Sequence, residues 1–125
     1  MRTTTTIALM VVRLFGVILL VLGGLFWSGN SLQLVATHML IGVLFVLALW
    51  VLSGIAAATR QSGGLVASGF IWGIVVLALG MVQKSLMPGS AHWVIRVLHL
   101  LIGLIAMGLG ERLAAGIKRS QATTV

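Results

Sequence analysis

The chain has 125 residues, of which 60% are hydrophobic and 7% are charged, and its mean hydropathy is +1.22. A soluble globular domain is roughly 45–50% apolar and about 25% charged, so the composition excludes that class and predicts an integral membrane protein. A helix that crosses a hydrocarbon core of roughly 30 Å needs about 20 residues. Four helices therefore nearly fill residues 1–125, which we treat as a single membrane domain.

The formal net charge is +7, from eight Lys and Arg residues against one acid, Glu111. In a soluble domain this charge would suggest a nucleic-acid partner. In a membrane protein it reflects topology and contact with lipid, and no nucleic-acid partner is expected. The absence of cysteine excludes disulfides, iron–sulfur clusters and covalent attachment of a c-type haem.

Four apolar segments are predicted to span the membrane. They cover residues 7–27, 32–57, 64–83 and 91–110. The segments between them are short and rich in Gly, Ser, Asn and Pro, which favour turns over helix. Short connections place consecutive helices antiparallel, so the predicted fold class is an all-α integral membrane protein with a four-transmembrane-helix bundle.

Positive charge is concentrated at one end of the predicted bundle. That end carries Arg2, Arg13, Arg60, Arg112, Lys118 and Arg119. The opposite end carries only Lys84 and Arg96. By the positive-inside rule, the N- and C-termini are predicted to be cytoplasmic, in a multi-pass protein of a bacterial-type inner membrane.

Two charged residues and two tryptophans in or near the spans receive structural interpretations. Arg13, inside the first span, is expected to extend its side chain to the cytoplasmic headgroups. Glu111 is expected to pair with its neighbour Arg112 at the membrane interface. Trp50 and Trp72 lie deeper in their spans and are interpreted as packing residues.

The two halves of the chain resemble each other. Residues 16–24 (GVILLVLGG) align without gaps to residues 73–81 (GIVVLALGM), at an offset of 57. Residues 38–42 (HMLIG) match residues 99–103 (HLLIG) in four of five positions, at an offset of 61. This repeat predicts two tandem helical hairpins related by a pseudo-two-fold axis along the membrane normal.

Each half carries one histidine inside its second helix. His38 and His99 are predicted about 10 Å and about 13 Å below the starts of their helices, at 1.5 Å per residue. Gly42 and Gly103 follow at i+4, on nearly the same face, and leave space beside each ring. Opposed neutral imidazoles beside small residues suit a b-type haem, because each donates one lone pair to the iron. The alternative is that both histidines are structural groups hydrogen-bonded across helices.

The two His-x-x-x-Gly motifs, in a chain of four predicted spans, resemble the small four-helix membrane b-type cytochromes of the cytochrome b561-like kind. The resemblance implies electron transfer through haem b. Those proteins typically carry two haems, and three histidines are too few for two bis-His centres. One haem per chain is therefore expected, with His38 and His99 as the iron ligands.

Two further residues of the fourth span bear on this site. Arg96 lies in the outer half of the span, far from the only acid, and is expected to bind either a haem propionate or a lipid phosphate. His92 lies at the helix entrance, where an imidazole faces water and headgroups. Contact with a quinone, or a metal site shared with His99, are the alternatives for His92.

These observations leave three function classes open. The first is an electron carrier near the periplasmic side, exchanging electrons with quinol or with a periplasmic redox partner, as a haem-dependent oxidoreductase or an electron-transfer subunit. The second is a small homo-oligomeric transporter or channel, against which stands the lack of a membrane-embedded acid for proton coupling. The third is a non-redox structural or assembly subunit of a larger membrane complex. A haem spectrum separates the first class from the other two.

Overall fold

The computed structural model describes residues 1–123, and they form four long helices joined by short connections. The elements are α1 (Arg2–Trp27), a 3-10 turn (Leu32–Leu34), α2 (Val35–Ala58), α3 (Gly63–Val82) and α4 (His92–Ala122). Each helix is long and apolar enough to cross a membrane, and the 3-10 turn extends the second candidate span back to Leu32. The prediction of an all-helical chain with four candidate spans is confirmed.

Each connection contains a residue in the left-handed region. Ser31 has φ 57°, Arg60 has φ 56° and Gly89 has φ 94°. A left-handed residue cannot continue a right-handed helix, so the chain turns back at these points. Ser62 then caps the start of α3, where its hydroxyl accepts a hydrogen bond from the Leu65 backbone N–H at 3.3 Å. The three turns fall in the segments whose composition predicted them.

Helix α1 begins five residues before the predicted start at residue 7. Two of the four threonines at its start have hydroxyls that are satisfied within the helix. Thr5 donates to the Met1 carbonyl at 2.9 Å, and Thr6 donates to the Arg2 carbonyl at 3.0 Å. A threonine that bonds the carbonyl four residues earlier exposes no unpaired hydroxyl, so the helix continues through it.

Helix α4 continues twelve residues beyond the predicted end at residue 110. Its last three turns bury Leu113, Ala114 and Ile117 against the rest of the bundle, whereas Lys118 and Arg119 are exposed. This is an amphipathic pattern, which averaging over a hydrophobic window does not detect. The helix therefore runs beyond the end of the predicted span at residue 110.

The buried core lies toward the end of the bundle that holds both termini. Its members come from α1 (Ala8, Leu9, Val12), α2 (Phe45, Val46, Ala48, Leu49, Leu52, Ala56) and α4 (Ala106, Leu113, Ala114, Ile117). Helices α2 and α4 pack against each other and against both remaining helices. Among the described residues, no Cα atom of α1 lies within 8 Å of one in α3. Helices α2 and α4 therefore form the central pair of the bundle.

Close packing recurs at positions that the internal repeat relates. The offset of 57 between α1 and α3 relates Gly16 to Gly73, and the offset of 61 between α2 and α4 relates Val46 to Met107. A Cβ added at Gly16 would lie 2.7 Å from the Met107 side chain, and one added at Gly73 would lie 2.9 Å from Val46. Each glycine thus lets two helices approach closely, and the two contacts are equivalent under the repeat.

Candidate functional site

His38 on α2 and His99 on α4 meet between the two central helices. Their ring centroids lie 6.4 Å apart, with an angle of 49° between the ring planes. His38 is six residues from Leu32 and His99 is seven residues from His92, where their candidate spans begin. At 1.5 Å per residue, the two rings lie about 9 Å and about 10 Å into their spans. The structure therefore brings the repeat-equivalent imidazoles together at one depth.

Both imidazoles carry a buried nitrogen without a partner. The Nδ1 atoms of His38 and His99 are buried, and neither has a hydrogen-bond partner within the described part of the chain. A buried polar atom left unpaired costs about 1–3 kcal/mol. A neutral imidazole offers one N–H donor and one lone pair, so a bound group that accepts the lone pair or the proton would remove part of this cost. The pair has the chemistry of a binding site.

Helices α1 and α3 each contribute one wall beside the imidazoles. The Phe26 ring on α1 packs edge-on against His38, with ring centroids 5.4 Å apart. On α3, a Cβ added at Gly80 would lie 3.6 Å from Cε1 of His99. Nothing in the sequence marked Phe26 as part of the site. The sequence did offer a pointer to Gly80, because the internal repeat aligns Gly80 with Gly23.

Within the described residues, no neighbouring side chain fills the space beside the two glycines that follow the histidines. A Cβ added at Gly42 or at Gly103 would meet no heavy atom within 4 Å among the described residues. Both glycines are half-buried. Space therefore exists beside the helix turn that follows each histidine.

The half of the bundle that holds the histidines is packed more loosely than the other half. Residues 35–44 of α2 and residues 74–82 of α3 include no buried residue. In residues 17–27 of α1 and 92–105 of α4, only Leu22 and Ile95 are buried. Most of the buried core residues lie in the half of the bundle nearer the two termini. The inner faces of the helices are therefore less covered around the imidazoles than in that half.

Arg96 is exposed, three residues before His99 on α4. It forms no ion pair or hydrogen bond with any residue that the structure describes, where the one salt bridge joins Arg13 and Glu111. Its guanidinium is therefore not held by a protein carboxylate. A charged group bound near His99, or a lipid phosphate, remains within the chemistry that Arg96 offers.

His92 is held by the preceding loop rather than by the histidine pair. Its Nδ1–H donates to the Leu86 carbonyl at 3.2 Å. Within the described residues, no group of three or more His, Cys, Asp or Glu side chains is arranged to hold a metal ion. The alternative of a metal site built on His92 and His99 gains no support from this arrangement.

Glu111 pairs with Arg13 across helices α1 and α4, and the predicted pair with Arg112 was wrong. Arg13 Nε donates to one carboxylate oxygen at 2.5 Å and Nη2 donates to the other at 2.9 Å. Neighbouring residues on a helix point about 100° apart, so Arg112 faces a different direction from Glu111. Arg13 is likewise held by this carboxylate rather than simply extended to the headgroups.

The two deep tryptophans hydrogen-bond across helices in addition to packing. Trp50 Nε1–H donates to the Phe70 carbonyl at 3.2 Å, and Trp72 Nε1–H donates to the Ile102 carbonyl at 2.9 Å. The repeat relates Trp50 to Glu111 and Phe70 to Arg13. The Trp50 bond therefore occupies in one half of the bundle the position that the ion pair occupies in the other.

No protein-family model, curated protein or solved structure matches this chain. The candidate site consists of two neighbouring imidazoles between the central helices of four apolar helices.

Proposed function

We propose that the chain is a membrane-embedded b-type haem protein that carries electrons, with His38 and His99 as the axial ligands of one haem b. The observation that carries the proposal is the 6.4 Å separation of the two ring centroids. Metal–imidazole bonds are about 2.0–2.1 Å long, so two imidazoles on opposite sides of one metal have ring centres about 6 Å apart. The observed separation fits that requirement.

The donor set favours haem iron over a free metal ion. Structural zinc sites use four protein ligands and catalytic sites use three. Here two imidazoles are available, no cysteine is present, and the one acid is already bound by Arg13. A haem iron would need two ligands from the protein, and His38 and His99 would supply them.

The surroundings of the imidazoles support the same proposal. The open space beside Gly42 and Gly103, together with the loose packing of this half, would leave room for a flat macrocycle. Phe26 offers an apolar wall beside His38. Arg96 is the cation of α4 nearest to His99 in the sequence, and it would pair with a haem propionate. Bound haem supplies a one-electron centre.

We further propose that the chain is similar in architecture to the cytochrome b561-like proteins. It is supported by four candidate spans and by a His-x-x-x-Gly motif on each of the two central helices. The equivalent contacts of Gly16 and Gly73 support a tandem pair of hairpins related by a pseudo-two-fold axis. The proposed haem would lie near this axis.

The proposed topology places the termini in the cytoplasm of a bacterial-type cell, because six of the eight cations lie at that end of the bundle. The histidine pair then lies in the outer leaflet of the inner membrane. With His92 at the start of α4, the chain has no second histidine pair for a cytoplasmic-side haem. We therefore propose exchange of electrons on the outer side only, with a quinone or a periplasmic redox protein.

The test is the haem content of protein purified from cells supplied with haem precursor. We expect a Soret band, sharp bands on reduction, and about one haem per chain by pyridine haemochrome assay. A colourless protein from these cells would contradict the proposal and favour the transporter or assembly-subunit hypotheses. A value near two haems per chain would contradict the assignment of a single site.

A further inference from the structure

A second site lies at the end of the bundle that holds both termini, away from the histidines. A cavity of about 330 Å³ opens there between the start of α1 and the end of α4. It is lined by Arg2, Thr6, Lys118, Gln121 and Ala122. Two of these five residues are cations, and the only acidic side chain of the protein, Glu111, is engaged by Arg13. The cavity therefore favours an anion.

The cavity lies where the other two helices end. Under the internal repeat, Thr6 corresponds to Gly63, the first residue of α3, and Lys118 corresponds to Ala57, next to the last residue of α2. Helices α1 and α4 continue past this level. Since α2 and α3 turn back at the edge of the apolar region, the cavity sits at the boundary between hydrocarbon and headgroups, where lipid phosphates lie.

The residues that line the cavity offer hydrogen-bond donors and one hydrogen-bond acceptor to a ligand. Arg2 uses Nη2 to donate to the Gln121 backbone carbonyl at 2.9 Å, which fixes the guanidinium at the mouth of the cavity. The guanidinium has five N–H donors, so further donors stay available for a phosphate. The Oε1 atom of Gln121 is buried and has no partner among the described residues. A ligand hydroxyl that reaches this acceptor would satisfy it.

The face of α1 that lines the cavity continues into an exposed apolar residue. Arg2, Thr6 and Met10 are spaced four residues apart and therefore share one face of the helix. Met10 is 58% exposed. A molecule with an anionic headgroup and an acyl chain would pair its headgroup with Arg2 and cover the exposed Met10 side chain with its acyl chain.

We propose that this cavity binds the headgroup of an anionic phospholipid that carries a free hydroxyl, as phosphatidylglycerol does. The phosphodiester pairs with Arg2 and Lys118, the headgroup hydroxyl donates to Gln121 Oε1, and an acyl chain follows α1 past Met10. This inference rests on the terminal end of the bundle alone and is independent of the haem proposal.

The test uses the purified full-length chain in an uncharged detergent, titrated with short-chain lipids while the thermal unfolding midpoint is followed. A ligand that binds only the folded protein raises Tm in a saturable manner. We expect phosphatidylglycerol to raise Tm and phosphatidylcholine to leave it unchanged. The double variant Arg2→Gln/Lys118→Gln should bind phosphatidylglycerol at least about tenfold more weakly, since two charge-assisted hydrogen bonds are lost.

The matched control is Arg112→Gln/Arg119→Gln. It also removes two positive charges, both from α4, and it changes no residue that lines the cavity. This control should bind phosphatidylglycerol as the unaltered chain does. An equal loss of binding in the control would show diffuse electrostatic attraction and overturn the proposed site. If Arg2→Gln/Lys118→Gln does not fold, Lys118→Gln alone provides the same comparison against Arg119→Gln.

Two further arms identify the ligand. Inorganic phosphate and glycerol phosphate should produce no comparable rise in Tm, and an equal rise would assign the cavity to a free phosphate instead of a lipid. Phosphatidylmethanol has the same charge as phosphatidylglycerol but no headgroup hydroxyl, so it should bind more weakly. Gln121→Leu should abolish that preference, and equal binding of the two lipids by the unaltered chain would overturn the role of Gln121.

Discussion

The guanidinium of Arg13 on α1 and the carboxylate of Glu111 on α4 are joined by two hydrogen bonds, at 2.5 Å and 2.9 Å. The two residues are 98 positions apart in the chain, and the pair closes the bundle between its first and last helices. Their side chains are 55% and 45% exposed on the surface of the bundle. In a bilayer this surface faces apolar surroundings, where each charge depends on the other.

We predict that Arg13→Gln lowers Tm by several degrees, because Glu111 then lacks its partner in an apolar region. The exchanged variant Arg13→Glu/Glu111→Arg should recover most of the loss, since it restores an ion pair with the direction reversed. Arg112→Gln serves as the control and should leave Tm unchanged. Thermal unfolding in detergent measures all three, and equal effects of Arg13→Gln and Arg112→Gln would show that the pair does not stabilise the fold.

The two repeat-equivalent glycine contacts differ in how far their neighbours can yield. A Cβ at Gly73 would meet the branched Val46 and the Trp50 ring, whereas a Cβ at Gly16 would meet the flexible end of Met107. We therefore expect Gly73→Ala to destabilise by about 1–3 kcal/mol and Gly16→Ala to cost less. Gly108→Ala, where the added Cβ meets nothing within 4 Å, is the control. Equal losses of unfolding free energy at Gly73 and Gly108 would contradict the close approach of α3 to α2.

The sequence predicted the elements that depend on composition over a long window. Four apolar runs gave the helices, and turn-forming residues gave the connections, with most ends within a few positions. Helix α4 runs beyond the predicted span because Leu113, Ala114 and Ile117 are buried on one face while cations occupy the other. Only the three-dimensional arrangement, in which neighbouring helices cover that face, reveals this part of the core.

The candidate site was predictable in part for the same reason. The repeat related His38 to His99, and two antiparallel hairpins that start at the same end of the bundle bring equivalent positions to a similar depth. The partner of Glu111 was not predictable, because it lies on a different helix 98 residues away and depends on how the helices rotate. Phe26 was missed for a similar reason, since its contact with His38 requires the turn between α1 and α2 to close at one angle.

Space beside the histidines is a separate requirement of the proposed function. Gly103→Leu should lower the haem content severalfold while the chain still folds, because the added side chain enters open space next to the site. Gly108→Leu adds the same side chain to α4 where an added Cβ also meets nothing within 4 Å, and it should retain haem. Haem per chain and helical content by circular dichroism measure both effects. Unchanged haem content in Gly103→Leu would remove this glycine from the site.

Arg96 is predicted to stabilise bound haem through a propionate. Arg96→Gln should lower haem affinity, or lower the reduction potential of the haem that remains, because a nearby positive charge favours the added electron. Lys84→Gln, which removes the other cation of the same end of the bundle, is the matched control. A redox titration of the two variants makes the comparison. Identical potential and haem occupancy in Arg96→Gln and the unaltered chain would return Arg96 to binding lipid phosphate.

The central claim is that His38 and His99 bind opposite faces of the same iron, and the ligation state of the haem iron tests it most directly. Electron paramagnetic resonance of the oxidised protein should show the low-spin signature of two axial imidazoles. His38→Ala and His99→Ala should each lose that signature and regain six-coordination when free imidazole is added, whereas His92→Ala should keep it. Loss of the signature in His92→Ala alone, or its persistence in either His38→Ala or His99→Ala, would contradict the account.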